Sequence, residues 1–444
     1  MQLSRALRLS QDSCIAFTGA GGKTTALFQA AHELSQNSKS PTQNVIVTTT
    51  THLGTWQIPL ADKHLAAQKT QELAGIEFRG VTLVTGPLQD DQRTEGVSED
   101  ILSWLREKYK LNHIPLLVEA DGSRQKPLKA PGGREPVIPD SAEEVVVVAG
   151  LSGLGKPLTD EFVHRPERFA ELSGMQIGEP VTPEALVQVL LHTEGGLKNI
   201  PANARKVAFL NQADTLELQA IGGKIARSLL EGYDSVVVGS VQLSKFQTIE
   251  PAAGILLAAG GSKRFGHSKQ LLDWRGQPFV RVVARTALAA NLSPVVIVTG
   301  ANAQEVETAV NDLRVRIVRN EAWQEGQASS IRAGVNALPP QTGAAIFLLA
   351  DQPQVTASIL QALVEEHTRE LPAILAPLVM DQRANPVLFD RVTFLDLLKL
   401  QGDVGGRGIF DKHPLSYLPW NDDRLLLDVD TPEHYQRLVE DETL

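Results

Sequence analysis

The chain has 444 residues, with 52 acidic and 42 basic side chains and a formal net charge of −10 when the histidines are neutral. Hydrophobic residues make up 42% and charged residues 21%, a balance that excludes disorder over the whole length. The acidic excess disfavours nucleic acid and anionic membrane surfaces as partners, because both select basic patches. Length alone allows about three domains or two large ones.

One cysteine, Cys14, excludes an intramolecular disulfide and a cysteine-bound metal cluster. Residues 1–13 lack the apolar core of a signal peptide. No segment offers the roughly 18 apolar residues that span a bilayer. We therefore expect a cytoplasmic protein whose thiol is buried in a strand.

Short β-branched runs alternate with helical patterns along the chain. Two apolar runs end in glycine-rich stretches: residues 14–22 lead into a predicted helix over 23–34, and residues 254–261 precede one over 270–290. The other predicted strands are 44–50, 81–85, 115–119, 144–148, 206–210, 235–241, 294–299, 315–318, 345–350, 373–378 and 425–429.

This order of elements predicts an α/β protein with two doubly wound, mainly parallel sheets that carry helices on both faces. The N-terminal domain is expected to be P-loop-like over residues 1–245, and the C-terminal domain Rossmann-like over residues 252–444. The boundary is placed within residues 243–252, which follow a strand pattern and contain a proline just before the second glycine-rich start.

The first glycine-rich stretch, Thr-Gly-Ala-Gly-Gly-Lys-Thr-Thr at residues 18–25, stands between a strand and a helix as a phosphate-binding loop does. Its glycines let backbone N–H groups surround phosphate oxygens, its lysine neutralises charge, and its threonine hydroxyl can bind Mg²⁺. Phe17 stands where a leading glycine is expected, so a glycine turn with an incidental Gly-Lys-Thr remains the alternative. The expected nucleotide-binding residues are Gly19, Gly21, Gly22, Lys23 and Thr24.

Three further segments of the first half end predicted strands with polar residues. Glu119 and Asp121 follow an apolar run, and Asp121 is the expected second Mg²⁺ ligand beside Thr24, unless it is an ordinary strand-end acid. Asn211 and Asp214 resemble the base-reading Asn-x-x-Asp of GTPases, although a turn-forming pair fits equally well. Residues 48–51 are four threonines followed by a histidine, and strand propensity explains the threonines alone.

Taken together, the first half resembles the selenium-dependent hydroxylase accessory proteins. The resemblance covers most of residues 1–245 and implies a domain that binds a nucleotide, ATP or GTP, and assists the maturation of an apo molybdenum hydroxylase. It rests on residues 19–25, 48–52, 119–124, 126–129, 135–139, 164–165 and 211–214.

The second glycine-rich stretch, Leu-Ala-Ala-Gly-Gly-Ser-Lys-Arg-Phe-Gly-His-Ser-Lys at residues 257–269, is the most specific motif in the chain. Its backbone amides can approach a triphosphate closely. Arg264 and Lys269 supply positive charge for a leaving pyrophosphate. A glycine-serine surface loop would leave the acids further along the chain unexplained. The expected nucleotide-binding residues are Leu257, Ala258, Ala259, Gly260, Gly261 and Ser262.

Those acids are Asp351 and Asp430, each directly after a predicted strand. Two carboxylates at the carboxyl edge of a sheet, completed by phosphate oxygens and water, would suit Mg²⁺. Asp428 would share a face with Asp430 on a strand and stays a rival ligand. Asp430 also fits a helix cap.

With these residues, the second half resembles the molybdenum cofactor cytidylyltransferases of the MobA-like NTP transferase superfamily over about residues 252–444. The resemblance implies transfer of CMP from CTP to molybdopterin with release of pyrophosphate, with Arg264, Lys269 and Asp351 as catalytic residues. Phe265 departs from the usual methionine. The matching segments are 257–269, 271–272, 298–300, 320, 325–326, 329–332, 351–353, 385–389, 402–403, 407 and 428–432.

Two other functions stay open. A nucleotidyltransferase could use a different phosphorylated acceptor. The protein could also be a nucleotide-gated chaperone that carries finished cofactor to an apo-hydroxylase without catalysis, a role to which the first half is better suited because of Phe17.

Overall fold

The computed structural model describes residues 1–36, 44–90, 92–261, 268–429 and 431–440. The chain divides into two compact units, Met1–Ile249 and Glu250–Leu444. Each unit is an α/β structure built on a mainly parallel sheet, which confirms the predicted fold class.

The described residues of the first unit form one nine-stranded sheet. Its order is β9-β8-β7-β6-β1-β5-β2-β4-β3, and every pairing is parallel except that of the edge strand β9 with β8. The strands are β1 (Cys14–Gly19), β2 (Val45–Thr49), β3 (Lys63–Ala66), β4 (Val81–Thr85), β5 (Leu116–Glu119), β6 (Glu144–Gly150), β7 (Arg205–Asn211), β8 (Ser235–Ser240) and β9 (Lys245–Ile249).

The central strands of this sheet are buried on both faces, which explains their continuous apolar sequence. One face packs against the second helix through Phe17 and Leu117, and the other carries a separate apolar cluster that includes Cys14. The helices are α1 (Leu3–Ala6), α2 (Lys23–Ser35), α3 (Glu99–Asn112), α4 (Pro166–Ser173), α5 (Pro183–Leu191) and α6 (Leu216–Leu229). Shorter strands pair outside the main sheet at Leu53–Gly54, Leu88–Asp90, Arg93–Thr94, Leu128–Lys129 and Val163–His164.

The second unit has an eight-stranded mixed sheet in its described residues. The strands are β10 (Ala252–Ala258), β11 (Val295–Thr299), β12 (Arg316–Arg319), β13 (Ala344–Leu349), β14 (Ile374–Val379), β15 (Gln382–Arg383), β16 (Val387–Asp390) and β17 (Leu415–Pro419). The order is β12-β11-β10-β13-β16-β14-β15, and β17 pairs in parallel with β14. The antiparallel β16 interrupts the parallel strands.

Helices cover both faces of this second sheet, around two apolar clusters. The helices are α7 (Phe279–Ala289), α8 (Ala303–Val310), α9 (Gln327–Asn336), α10 (Ala357–Glu370), α11 (Phe394–Leu397) and α12 (Pro432–Glu440). None of the helices in the described parts of the chain is long and apolar enough to cross a membrane.

Three segments differ from their sequence-based prediction. Residues 243–252 contain the strand β9 in place of a linker, so the first unit extends to Ile249. The helix predicted from residue 270 begins only at Phe279, because the hairpin Asp273–Trp274 and Gln277–Pro278 turns at Gly276, where φ is +74°. Residues 425–429 form no strand: a 3₁₀ turn, Asp423–Leu426, begins where the Asp422 carboxylate accepts a hydrogen bond from the Arg424 N–H at 3.2 Å.

Two adjacent glycines of α6 test how tightly this helix packs on the first sheet. A Cβ on Gly222 would lie 2.6 Å from Val238 Cγ1, whereas nothing lies within 4 Å of one on Gly223. Because both alanine substitutions gain the same helix propensity, their difference isolates overpacking. We expect Gly222→Ala to be less stable than Gly223→Ala by about 1–3 kcal/mol in calorimetric unfolding. Equal stabilities would show that α6 does not press on β8.

Candidate functional site

The first glycine loop connects β1 to α2. Gly19, Gly21 and Gly22 have φ values of +94°, +81° and +93°, which L side chains rarely adopt. A Cβ on Gly21 would lie 2.2 Å from the backbone nitrogen of Gly150, so the loop lies against the end of β6. Glycine is therefore required both for the backbone conformation and for close contact with the next strand.

The loop has two parts with different hydrogen bonding. The Gly19 N–H donates to the Asp121 carboxylate at 3.0 Å, and the Ala20 and Gly21 N–H groups donate to backbone carbonyls. Within the described residues, the N–H groups of Lys23, Thr24 and Thr25 have no acceptor. The first turn of α2 is therefore the part of the loop that can receive an anion.

Lys23 does not extend into solvent from this turn. It is 2% exposed, and its Nζ binds the carbonyl oxygen of Asp121, lies 2.5 Å from Asp121 Oδ1 and lies 3.5 Å from Glu119 Oε1. Burial, the largest influence, lowers the pKa of Lys23, but the two carboxylates outweigh it and hold the pKa above its ordinary value. The lysine is thus a buried cation held at the end of β5.

Asp121, the expected metal ligand, is engaged at both carboxylate oxygens. Besides Lys23 and the Gly19 N–H, it accepts a hydrogen bond from Lys129 Nζ at 2.7 Å. Burial would raise the pKa of Asp121, but the two lysines reverse that effect and hold it below the usual range. Its contacts in this structure close the loop onto β5.

Glu119, in contrast to Asp121, has one carboxylate oxygen that is not engaged. Its Oε2 atom is buried and has no hydrogen-bond partner among the described residues. Burial raises the pKa of Glu119 above its ordinary value, although Lys23 and the hydrogen bond of the Thr24 side chain oppose this. Glu119 rather than Asp121 therefore retains an oxygen that can accept a ligand.

A charged network extends from Asp121 to the segment that carries the His-Arg pair. Glu135 Oε2 lies 2.9 Å from Lys129 Nζ and 2.8 Å from Arg165 Nη1. Burial opposes ionisation of Glu135, but Arg165 and Lys129 lower its pKa to about 2. Burial, followed by the charges of Arg165 and Lys129, lowers the pKa of His164 to about 4. His164 is therefore neutral at pH 7.

Asn211 reaches the glycine loop, and Asp214 does not. Asn211 Nδ2 donates to the Gly21 carbonyl at 2.8 Å, and its Oδ1 accepts from the Val241 N–H at 3.1 Å. The side chain thus ties the loop to the ends of β7 and β8. Asp214 is exposed. These hydrogen bonds give Asn211 a structural role in supporting the glycine loop. Recognition of a nucleotide base by Asp214 stays a prediction.

In the second unit, the glycine-rich stretch after β10 lines an open cleft of about 840 Å³. Among the residues expected from the sequence, the cleft brings together Leu257, Ala259, Gly260, Gly261, Lys269 and Asp351. Ala258 is 1% exposed and lies within β10. Ser262, Arg264 and Asp430 lie outside the described residues.

Two residues that sequence reasoning missed support this loop. The buried Gln270 donates from Nε2 to the Gly260 carbonyl at 2.6 Å. Trp323 packs against the loop, because a Cβ on Gly261 would lie 3.3 Å from its ring. Gln270 directly follows the motif lysine, which is the one signal that could have found it; nothing near Trp323 in the sequence indicates its contact.

The far wall of the cleft is the start of α9. Gly326 has φ +105°, and a Cβ there would lie 2.5 Å from the backbone nitrogen of Asp403. Asp403 accepts a hydrogen bond from the Gln327 N–H at 3.2 Å, and Ser330 lines the cleft. The helix N-terminus therefore faces the same space as the glycine loop.

Asp351 lies directly after β13 in the cleft, and its neighbour Gln352 makes a contact of its own. Gln352 Nε2 donates to Asp428 Oδ1 at 2.5 Å, so Asp428, the rival ligand, is held beside the Asp-Gln-Pro segment. No group of three or more His, Cys, Asp or Glu side chains that could hold a metal occurs in the described ranges of either unit. A metal here would need oxygen ligands from substrate and water as well.

Comparison with known proteins gives both units a family. The YqeC protein family model matches residues 15–167, and the MobA-like NTP transferase domain model matches residues 254–417. Nicotine blue oxidoreductase of Paenarthrobacter nicotinovorans is 32% identical over 203 residues, which are 42% of this chain and 95% of that protein. The chain belongs to the MobA-like NTP transferase family and carries a YqeC domain before it.

A second relative and a solved structure are also similar to parts of the chain. YqeC of Escherichia coli (strain K12) is 29% identical over 237 residues, which cover 51% of this chain and 87% of that protein. The manganese complex of Rv0371c from Mycobacterium tuberculosis H37Rv is 27% identical, with a TM-score of 0.38 over 43% of this chain and 98% of that one. Both resemblances found in the sequence are confirmed at family level, and the NTP transferase domain makes the protein a nucleotidyltransferase.

The network around Glu135 predicts a pH dependence of the YqeC domain. Because the folded-state pKa of about 2 lies below the ordinary 4.5, Glu135 stabilises the fold above about pH 4.5 and loses this contribution as the pH falls toward 2. We expect Glu135→Gln to lower the melting temperature near neutral pH, with a deficit that shrinks as the pH falls through this window.

The control is Glu231→Gln, a change of an exposed glutamate, whose effect on melting should be small at every pH. A Glu135→Gln deficit that stayed constant from neutral to acid pH would contradict the ion pairing.

Proposed function

We propose that the NTP transferase domain transfers CMP from CTP to the terminal phosphate of a molybdopterin-type cofactor. A phosphate oxygen of the acceptor forms a bond to the α-phosphorus of CTP, the bond to the β-phosphate breaks, and pyrophosphate leaves. The observation that carries the proposal is the cleft that collects the glycine loop, Lys269 and Asp351.

The groups in the cleft suit this chemistry. The second pKa of a phosphate monoester is about 6, so the acceptor is already largely ionised at neutral pH and needs no general base. The remaining requirement is in-line positioning with charge neutralisation. Lys269, with Arg264 in the same motif, supplies positive charge for the leaving pyrophosphate, and the loop amides hold the triphosphate.

Asp351 fits a Mg²⁺ ligand, because its carboxylate lies at the carboxyl end of β13 and lines the cleft. Asp430 is the proposed second ligand, and Asp428, held by Gln352, is its rival. A bound Mg²⁺ would neutralise charge on the phosphate oxygens. Lys269 would act beside it on the leaving group.

The family of the domain does not by itself fix the phosphorylated acceptor. The name of one relative, nicotine blue oxidoreductase, refers to a different substrate, so family membership leaves the acceptor open. Another phosphorylated acceptor would keep the same enzyme class and the same cleft residues.

For the YqeC domain we propose nucleotide binding at the first turn of α2, with ATP or GTP as ligand and an apo molybdenum hydroxylase as the partner served. The free N–H groups of this turn support it. Lys23 is bound by the carboxylates of Asp121 and Glu119. This favours a second possibility for the domain, a regulatory function in which it binds nucleotide without turnover and so acts as a gate.

The first test incubates the protein with molybdopterin and each nucleoside triphosphate in turn and identifies the product by mass. We expect a CMP-linked cofactor with CTP. Asp351→Ala should lower pyrophosphate release by at least about 100-fold, the range seen when one transition-state contact is removed. Asp411→Ala, an exposed acid outside the cleft residues, is the control. Product formation by Asp351→Ala at the wild-type rate would contradict the assignment of Asp351 as a metal ligand.

The second test separates the two possibilities for the YqeC domain. We expect Lys23→Ala to weaken binding of fluorescent ATP or GTP to this domain, because a buried cation beside the loop is lost. Circular dichroism checks folding, since the change leaves two buried carboxylates short of a partner. If the unmodified protein hydrolyses ATP or GTP in steady state and Lys23→Ala abolishes this turnover, the domain is an NTPase. If the unmodified protein binds the nucleotide tightly but does not hydrolyse it, the domain is a gate. Nucleotide binding unchanged by the variant would contradict both.

A further inference from the structure

We propose that Glu119, Thr24 and Thr51 of the YqeC domain hold a divalent cation beside the glycine loop, while Asp121 serves to position Lys23. This inference rests on the proposed nucleotide site. It replaces the Asp121 ligand expected from the sequence with two residues that carry free oxygens.

Glu119 supplies the first argument. It is 94% buried, since only 6% of its surface is exposed, yet its Oε2 atom lacks a partner in the described part of the unit. A buried carboxylate oxygen without a donor is costly, so such an atom needs an explanation such as an absent ion or water. The same carboxylate lies 3.5 Å from Nζ of the loop lysine Lys23, and the side chain of the next residue, Thr24, lowers the pKa of Glu119. Glu119 therefore faces the loop.

The threonine run supplies the second, independent argument. Thr48 Oγ1 donates to the Val84 carbonyl, Thr49 Oγ1 to the Glu119 carbonyl, and Thr50 Oγ1 to the Val137 carbonyl, at 2.9, 3.1 and 2.9 Å. The Thr51 hydroxyl is buried and has no partner among the described residues. Three hydroxyls of the run are thus explained by loop structure, and the fourth is available.

The register of the sheet brings these two residues to the same place. Thr49 of β2 pairs with Glu119 of β5, and the Thr50 N–H donates to the Glu119 carbonyl at 3.0 Å. Glu119 follows Leu117 by two residues on a strand, so both side chains project toward the face covered by α2. Thr51 lies two residues beyond the end of β2. Its backbone N–H donates to Thr49 Oγ1 at 3.1 Å, and the same Oγ1 lies 3.1 Å from the Glu119 carbonyl oxygen.

Asp121 cannot serve as the ligand without breaking three contacts. Its carboxylate accepts from Lys23, Lys129 and the Gly19 N–H, and a cation bound there would have to displace these donors. A divalent cation would also be placed beside two ammonium groups. At Glu119, by contrast, one oxygen is free and the nearest lysine nitrogen lies 3.5 Å from the other.

The donor set has the chemistry of a Mg²⁺ site. Mg²⁺ prefers oxygen ligands, and in phosphate sites it keeps several waters and one or two protein ligands beside the phosphates. One carboxylate and two hydroxyls fit this pattern. A bound phosphate that draws Lys23 toward itself would also leave Glu119 less neutralised, so nucleotide and cation should strengthen each other's binding.

The experiment measures Mn²⁺ binding by electron paramagnetic resonance on the full chain carrying Asp351→Ala, which silences the proposed metal site of the other domain. Titrations are run without nucleotide, with ATP and with GTP. We expect about one Mn²⁺ per chain, bound more tightly with the preferred nucleotide. Glu119→Gln should weaken it by at least about tenfold, since even outer partners of metal ligands contribute about 10–100-fold. Thr51→Val should weaken it to a smaller extent.

There are two matched controls. Glu144→Gln changes a buried glutamate that pairs with Arg205 at the amino end of β6, away from the glycine loop, and Thr48→Val changes another threonine of the same run. Both should keep the Mn²⁺ affinity. Because Thr51→Val removes a hydroxyl without a partner, it should fold with unchanged stability even if Glu119→Gln does not.

The inference is overturned if Glu119→Gln and Thr51→Val bind Mn²⁺ as the parent does, if Asp121→Asn alone abolishes binding, or if the Asp351→Ala chain binds no Mn²⁺ under any condition. Failure of the proposed nucleotide role looks different: Mn²⁺ binding would then respond to Glu119→Gln but not to ATP, GTP or Lys23→Ala.

Discussion

Parallel pairing of the first strand of each unit is the constraint on which both sites depend. β1 lies between β5 and β6, and β10 lies between β11 and β13, and all four pairings are parallel. The carboxyl ends of paired parallel strands meet at one edge. The glycine-rich loop that follows the first strand is therefore bordered by whatever residues end its neighbours.

The two units use this edge differently. In the YqeC domain the neighbouring strand ends in acids that hold the loop lysine, so the cation and its counter-charges are buried together. In the NTP transferase domain the loop and Asp351 border an open cleft. A buried charge needs a partner at close range, whereas a charge that borders an open cleft can also be reached by solvent and substrate. The net charge of −10 therefore says little about either site, because the electrostatic potential at each site depends on the local arrangement of a few charges.

Much of this fold could be predicted from the sequence, because apolar β-branched runs mark buried parallel strands. The run at 81–85 matches β4 residue for residue, and the helix after Gly22 begins at Lys23 as expected. The strands β3, β9, β15, β16 and β17 were missed. The strand β9, for example, alternates exposed and buried residues at an edge of the sheet, and its sequence resembles a linker. Residues 425–429 are apolar enough for a strand but follow a capped turn, so hydrophobicity alone misassigned them.

The loop residues and Asp351 could be found from motifs, but the roles of the acids at β5 could not. Asp121 and Glu119 are two residues apart on one apolar run, and nothing in their spacing tells which is already neutralised. The answer depends on Lys129, which reaches Asp121 only because Leu128–Lys129 pairs with Val163–His164 in a separate short sheet. With Lys129 on one oxygen, Asp121 stays neutralised even if Lys23 moves toward a phosphate. Glu119 has no such second cation among the described residues, which is why we propose it, rather than Asp121, as the acid that a cation arriving with the nucleotide would neutralise.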